Sequence, residues 1–286
     1  MSRLFSRQTV TPLLGTIGGF FGLLTLVACD PVAETDRYVE CEAIEAKRTV
    51  ILEEYTGQNC SNCPGAHRII ESLQEQYGDA FISVSIHAGK FAFDEGLYAN
   101  QAPPYNYQTF KTPESEEYAR QQDVTSYPSG LINRHTNVLG AFDWASTIRA
   151  EMEIPTDLKM TLNTSYNKDN NSYEISTYLT PSADYAGYLQ LWLVEDSIVS
   201  LQLDGKNLLL NYVHNNVFRT SLNGVGGEVV DLQRNVITHN TQIYHPANGS
   251  PYDERHLKVV AFYYDESGVV QAAKCKLSNE SGDNQK

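Results

Sequence analysis

The sequence predicts an α/β domain followed by an all-β, sandwich-like domain, on a chain of 286 residues. The first part holds an apolar strand pattern, the turn Cys60-Ser61-Asn62-Cys63 and a helical pattern, in that order. After Pro155 the apolar residues alternate with polar ones, which is the period of strands with one buried face. A charge-free apolar segment near the start is set apart from both domains.

That opening segment predicts a lipoprotein signal peptide over residues 1–28. Arg3 and Arg7 give it a basic start, and its apolar run ends in Leu26-Val27-Ala28-Cys29. This ending resembles the bacterial lipobox, which implies that Cys29 is acylated and becomes the new N-terminus. An ordinary signal peptide with an incidental cysteine is the alternative. Because stable anchoring needs more than one acyl chain, we expect a multiply acylated protein whose residues 29–47 form a tether to the membrane.

The composition limits the possible partners. The formal net charge is −14 at pH 7, which disfavours nucleic acid and docking on anionic lipid through a basic patch. The sequence contains neither a glycine-rich phosphate loop nor a dinucleotide fingerprint, so no cofactor is predicted. Export places the protein in an oxidising compartment, where disulfides persist. The oligomeric state is left open.

The α/β domain is predicted over residues 48–155. Thr49–Tyr55 predicts a first strand because its start is apolar and rich in β-branched residues. Apolar residues then recur at helical spacing from about Asn62 until Gly78, a common helix stop. Phe81–His87 predicts the second strand. The Cys pair therefore lies at the first crossing of a βαβ unit.

The rest of this domain is predicted to contain two helices and one short strand. Thr112-Pro113 predicts a helix start, with the threonine as N-cap and the proline at the first helical position. Tyr127-Pro128 leads into a strand at residues 131–133, and Asp143 predicts the N-cap of the last helix. The aromatic segment 89–111 shows neither period, so we expect a long loop that either covers the Cys pair or packs on the β domain.

The β domain is predicted over residues 156–286, with roughly seven strands arranged as a sandwich. Tyr188–Glu195 is a strongly apolar strand. Residues 257–264 and 269–277 flank Asp265-Glu266-Ser267-Gly268, which is a hairpin signal. Residues 196–227 show no clear pattern.

Cys60 and Cys63 have the spacing of a thiol–disulfide exchange site. The N-terminus of the following helix would stabilise the thiolate that forms when their disulfide opens. We expect Cys60 to be the exposed, attacking sulfur and Cys63 to be the resolving thiol. Glu53 and Glu54 on the incoming strand face opposite sides, so one of them is expected to lie beneath the helix, where burial suits it to take a proton from Cys63. Glu54 is the candidate acid/base residue. The alternative is that Glu53 and Glu54 are both solvated at the end of an edge strand.

The dipeptide Tyr127-Pro128 completes the predicted site. An X-Pro bond adopts the cis form at small cost, and we expect this bond to be cis and to lie beside the Cys pair. In that arrangement Pro128 removes an N–H group from the neighbourhood of the sulfurs. The backbone of Tyr127 is turned outward, where it can pair with a substrate strand.

Two resemblances follow from these residues. Residues 49–152 resemble a thioredoxin-like domain, on the order of their elements and on Glu54, Cys60, Cys63 and Pro128. The mature chain resembles a family of Bacteroidetes lipoproteins named after a twenty-eight-kilodalton outer-membrane protein. The matching runs are Leu52–Gly57, Cys60–His67, Ile86–Gly89, His214–Arg219 and Gly224–Gly227. The resemblance implies an outer-membrane lipoprotein, facing the periplasm or the cell surface, with a thioredoxin-like domain and a β-rich C-terminal domain.

Three functions are consistent with the sequence. The first is thiol–disulfide exchange on envelope or surface proteins, whose thiols or disulfides would be the partners. The second is a soft-metal module, for copper or zinc, built from Cys60, Cys63 and His67. The third is a non-catalytic surface binding protein in which the Cys pair is a structural disulfide. Cys41 and Cys275 are left either free or bridged to each other.

Overall fold

The computed structural model describes residues 47–93 and 108–277. The predicted signal peptide, the lipidation site Cys29, and Cys41 lie outside the described residues, as does most of the aromatic segment 89–111. None of the helices within the described ranges is both long enough and apolar enough to span a bilayer.

The predicted elements before Pro155 are present. Val50–Thr56 forms β1, Cys63–Tyr77 forms α1 and Phe81–His87 forms β2. The later elements are α2 (Pro113–Gln121), β3 (Ser129–Ile132), β4 (Leu139–Gly140) and α3 (Ala141–Met152). The strand β4 was not predicted, and β3 spans Ser129–Ile132 rather than 131–133. The predicted cap of α3 was also wrong: Gly140, not Asp143, is its N-cap. The helix begins directly where β4 ends, and Asp143 lies in its first turn, where its charge still faces the positive end of the helix dipole.

The described residues after Pro155 are nearly all strand. The strands are β5 (Leu158–Asn167), β6 (Ser172–Pro181), β7 (Tyr185–Glu195), β8 (Ile198–Asp204), β9 (Asn207–His214), β10 (Val217–Ser221), β11 (Glu228–Leu232), β12 (Thr238–Tyr244), β13 (Leu257–Asp265) and β14 (Gly268–Lys276). The predicted number of strands was too low because residues 196–227, which lack a clean alternation, contain β8, β9 and β10.

One large sheet runs through both parts of the chain. Its order is β14-β13-β7-β10-β2-β1-β3-β4, with β11 paired to β7. β1 is parallel to β2 and antiparallel to β3, whereas β10 joins β2 to the antiparallel strands of the second half. The fold is therefore β-rich, and the described residues belong to one compact unit. The domain division near Pro155 stays a prediction.

Three apolar layers hold this sheet. On one face of β1, Val50 and Leu52 pack with residues of α1 and α3. On the other face, Ile51 and Tyr55 pack with α2 and with aromatic residues of β7, β10 and β13. A separate three-stranded sheet, β12-β6-β5, packs against β7, β11 and β13 and gives the second half its sandwich-like character.

The two remaining strands, β8 and β9, form a hairpin that belongs to neither of these sheets. We call Ile198–His214 the covering hairpin, because it lies on the turn between β1 and α1 that carries the Cys pair.

Candidate active site at the Cys60–Cys63 turn

Cys60 and Cys63 form a disulfide, with their Cα atoms 5.4 Å apart. Cys63 is the first residue of α1, so the pair lies at the helix N-terminus as predicted. Pro64 suits the first turn of the helix, because proline lacks the N–H group that would have no intrahelical partner there. Gly57 precedes the pair at a point where a side chain would collide with the backbone of Phe91, so the turn packs tightly on that loop.

The expected exposure of Cys60 was wrong. Cys60 is 2% exposed, and Cys63 is 0% exposed. The covering hairpin, which sequence reasoning did not find, hydrogen-bonds to the backbone of this turn, and the backbone of Phe91 also packs against it. A disulfide in this position cannot contact a partner protein unless the residues packed over it, such as the covering hairpin, move away.

The covering hairpin binds the Cys turn through its backbone. The N–H of Leu203 donates to the carbonyl of Gln58 over 2.8 Å, and the N–H of Gly205 donates to the carbonyl of Ser61 over 2.9 Å. The buried side chain of Gln202 donates to the carbonyl of Cys60 over 3.1 Å. These bonds place the end of β8 directly against the peptide groups that surround the disulfide.

Glu54 is fully buried on the α1 face of β1. Its Oε2 accepts a hydrogen bond from the hydroxyl of Ser85 at 2.6 Å, and its Oε1 lies 3.1 Å from Nε2 of His67 on α1. Glu53 points to the opposite face, where Arg134 donates to it over 2.6 Å. The alternation of the strand thus places Glu54 beneath the helix, as predicted, and neither glutamate is solvated.

His67 joins the carboxylate to the covering hairpin. Its Nε2 lies 3.1 Å from the hydroxyl of Thr56 as well as from Glu54, and its Nδ1 lies 2.7 Å from the hydroxyl of Tyr212 on β9. Burial lowers the pKa of His67, but the charge of Glu54 and a hydrogen bond to it outweigh burial, so that the net pKa is raised. His67 follows Cys63 by four residues and so shares its helix face.

Two more histidines line the same region. His67, His87, His214, Tyr212 and Ser85 border a cavity of about 40 Å³, which is room for one water molecule. Both ring nitrogens of His87 lack a hydrogen-bond partner among the described residues. Burial lowers the pKa of His87 well below its usual range and lowers that of His214 to about 3, so both rings are neutral near pH 7.

The Tyr127-Pro128 peptide bond is cis. Ser129, the next residue, pairs with Tyr55 on β1, so Pro128 lies beside the start of the Cys turn. The ring of Tyr127 contacts that of Phe91 with centroids 5.5 Å apart, and the carbonyl of Phe91 accepts from the N–H of Asn59 at 2.9 Å. The predicted pairing of the Tyr127 backbone with a substrate strand stays a prediction.

The soft-metal set of Cys60, Cys63 and His67 is not assembled. The two sulfurs are bonded to each other, and both nitrogens of His67 are engaged by neighbouring side chains. Within residues 47–93 and 108–277, no three His, Cys, Asp or Glu side chains are placed to hold a metal ion. Cys275 is a free, half-buried thiol on β14, and its candidate partner Cys41 lies outside the described ranges.

Sequence reasoning missed Gln202 and Tyr212. Both lie in the stretch 196–227, and both reach the site from about 140 positions further along the chain. A polar residue on a hairpin carries no local signal of a long-range contact. The one hint was that Gln202 lies between Leu201 and Leu203 on its strand, where an inward polar side chain needs a buried partner.

The sequence of the chain matches one known protein family over more than half of its length. Residues 115–281 match the family described as outer membrane protein Omp28. The chain belongs to the Omp28 family. The matched part runs from α2 to the end of β14, so it includes Pro128 and the covering hairpin and begins after the Cys turn. No curated protein is similar to the chain by sequence.

Two solved structures from Porphyromonas gingivalis are similar to this Omp28-family chain. HBP35 is 12% identical over 84% of this chain and 79% of its own, with a TM-score of 0.60, which indicates a shared fold. A domain of the outer membrane lipoprotein Omp28 is 19% identical over 42% of this chain and 87% of its own, with a TM-score of 0.28.

Proposed function

We propose that this chain is a lipid-anchored protein of the outer membrane whose thioredoxin-like part exchanges disulfides with envelope or surface proteins. The observation that carries the proposal is the Cys60–Cys63 disulfide at the N-terminus of α1, with the buried carboxylate of Glu54 beneath the helix. The order β1-α1-β2-α2-β3-β4-α3, with β1 parallel to β2 and antiparallel to β3, supports the thioredoxin-like assignment.

The exchange begins from the reduced pair. The thiolate of Cys60 attacks a disulfide of the partner protein, so that one sulfur–sulfur bond forms and the partner's bond breaks. The released partner sulfur leaves as a thiolate and takes a proton from water. Cys60 and the partner are then joined by a mixed disulfide.

Cys63 completes the reaction. It gives its proton to Glu54, and the resulting thiolate attacks the sulfur of Cys60. The Cys60–Cys63 bond forms, and the second partner sulfur leaves as a thiolate. The partner disulfide has then been reduced to two thiols, and the two electrons have come from the Cys pair. When the reaction runs in reverse, the Cys60–Cys63 disulfide accepts two electrons from a partner dithiol, which is oxidised to a disulfide.

A second candidate function is favoured by the burial of the disulfide. With Cys60 2% exposed and its carbonyl bonded to Gln202, the pair has the environment of a structural disulfide. In that case the second half, with its large sheet, would be the working part of a surface binding protein. The two functions differ in one measurable property, which is the reactivity of Cys60.

Trapping tests the proposal. The Cys63→Ser variant, made in a Cys275→Ser background to remove the other free thiol of the described residues, leaves Cys60 able to attack but unable to be released. Incubated with a peptide disulfide near pH 7, it should accumulate a stable adduct on Cys60. The matched control is Cys60→Ser in the same background. If neither variant forms an adduct and Cys60 reacts with a thiol probe no faster than an ordinary cysteine, the structural alternative is correct.

The lipid anchor has its own test. Cells fed labelled palmitate should incorporate label into the wild-type chain, because its predicted N-terminal cysteine is acylated. Cys29→Ala should abolish the label and release the protein from the membrane fraction. Retention of the label in Cys29→Ala would place the lipid elsewhere.

A further inference from the structure

His67 is the one residue of the site that contacts both the buried carboxylate and the covering hairpin. Its Nε2 lies 3.1 Å from Oε1 of Glu54, and its Nδ1 lies 2.7 Å from the hydroxyl of Tyr212. Glu54 is fully buried, whereas Tyr212 is half-buried and lies toward the surface. The hydroxyl of Thr56 lies 3.1 Å from the same Nε2. An imidazole with polar neighbours at both nitrogens can accept a proton on one and release a proton from the other.

We infer that His67 and Tyr212 form a proton relay between solvent and Glu54, and that they are positioning residues for the exchange reaction. This inference rests on the proposed function, because Glu54 needs a route for its proton only if it takes one from Cys63. Glu54 has no other described partner that can carry a proton to the surface, since its remaining hydrogen bond comes from the buried hydroxyl of Ser85 on β2.

Cys63 transfers its proton to Glu54 as its thiolate attacks Cys60. Glu54 passes a proton to Nε2 of His67, and Nδ1 of the same ring releases a proton to the hydroxyl of Tyr212. That hydroxyl gives its own proton to water, so one proton leaves the protein for each Cys63 thiol consumed. No electrons move in the relay.

The surroundings of His67 agree with this role. The ionisable groups around it come from four elements; they are Glu54 on β1, Arg68 and Glu71 on α1, His87 on β2, and Tyr212 and His214 on the hairpin. His87 and His214 have lowered pKa values and stay neutral, so they do not compete for the proton. Burial raises the pKa of Tyr212 to about 12, so it remains a hydroxyl that can donate and accept.

The test measures the lifetime of the mixed disulfide across pH. The reduced protein is mixed with a peptide disulfide, and the decay of the Cys60 adduct is followed by acid quench and mass spectrometry. Tyr212→Phe, which removes one oxygen, should slow the decay by about tenfold and displace its pH profile. Tyr178→Phe is the matched control, because Tyr178 stacks on a histidine, His239, on the remote three-stranded sheet. The decay rate of the Cys60 adduct does not depend on how easily the partner protein first reaches Cys60.

Chemical rescue separates a relay from a structural role. His67→Ala should decay more slowly than Tyr212→Phe, and added imidazole should restore the rate, because the small base can replace the missing ring. Slow decay with an unshifted pH profile and no response to imidazole would overturn the relay. Wild-type decay in both variants would also overturn it, while the proposed function would stand. If Cys63→Ser also forms no adduct on Cys60, both inferences fail together.

Discussion

The three histidines around the Cys turn differ in pKa because they differ in partners. His67 faces the carboxylate of Glu54, which offsets the cost of burying a positive ring and raises the pKa. His214 is 3% exposed, and its Nε2 contacts the carbonyl of Leu201 rather than a carboxylate, so burial dominates and lowers its pKa to about 3. One cluster therefore holds a histidine that binds a proton readily and another that resists one.

This difference predicts an acid-sensitive fold. Between pH 6.5 and about 3 the unfolded chain binds a proton at His214 that the folded chain does not, so stability falls as the pH falls. His214→Asn should reduce the slope of unfolding free energy against pH by up to about 1.4 kcal/mol per pH unit. Chemical denaturation at several pH values measures this slope. The variant also loses the hydrogen bond to Leu201, but that lowers the unfolding free energy equally at every pH and so does not change the slope. An unchanged slope would mean that His214 titrates normally in the folded protein.

Glu54 is the second residue whose role can be isolated. Glu54→Gln keeps the shape and an oxygen for the hydroxyl of Ser85, but it removes the base beneath the helix. We expect the resolving step of the exchange to slow by about 100-fold or more, because general acid–base catalysis contributes at least that much. Single-turnover kinetics of the mixed disulfide measure the effect. Glu75→Gln, on the exposed side of α1, should behave as wild type, and equal rates in the two variants would remove Glu54 from the mechanism.

At the scale of elements, the covering hairpin decides whether the disulfide is accessible. It belongs to neither of the two larger sheets, and its backbone bonds go to Gln58 and Ser61 of the Cys turn. Local opening of such a peripheral element requires less free energy than opening the core sheet. The hairpin is thus the element that must move for any partner to reach Cys60.

Weakening the hairpin should therefore activate the site. Gln202 donates to the carbonyls of Gly57 and Cys60, and its loss to alanine removes hydrogen bonds worth about 0.5–1.5 kcal/mol each. We expect Gln202→Ala to raise the rate at which reduced Cys60 reacts with a thiol probe by about tenfold, since 1.4 kcal/mol corresponds to that factor. Gln242→Ala on β12 is the matched control. If Cys60 reacts no faster in Gln202→Ala than in the wild type, another part of the protein controls access to Cys60.

At the scale of the whole molecule, the half-buried cation of Arg134 links the two parts of the chain. Arg134, in the loop after β3, donates to Glu53 on β1 over 2.6 Å. Its guanidinium also lies over the rings of Phe262 and Tyr264 on β13, at 4.9 and 4.6 Å from their centroids. Contacts of this kind, with the continuous sheet, favour a single cooperative unfolding transition.

Arg134 therefore offers a stability test. Arg134→Met leaves the carboxylate of Glu53 buried without its partner and should cost about 3–5 kcal/mol of unfolding free energy. The double variant Glu53→Leu with Arg134→Met removes both charges and should recover much of that loss, because no unpaired charge remains. Thermal or denaturant unfolding measures both. A double variant no more stable than Arg134→Met would show that packing against the aromatic rings, rather than the ion pair, dominates.

The sequence by itself determined the local elements and the chemistry at their ends. Periodicity located β1, α1, β2 and the strands that follow Pro155, because the burial of one face repeats at the strand or helix period. The two-residue alternation of β1 also predicted that one of Glu53 and Glu54 lies under the helix, and the Tyr127-Pro128 dipeptide predicted the cis bond that is present. Each of these features depends on residues that are close together in the chain.

The tertiary structure alone decided what surrounds the Cys pair. Gln202 and Tyr212 reach the site because β10 joins the edge of β2, which carries the preceding hairpin across the turn. The same placement buries Cys60, against the sequence-based expectation, and gives His67 its second partner. These contacts join residues more than 100 positions apart, and no local pattern of residues encodes such a pairing.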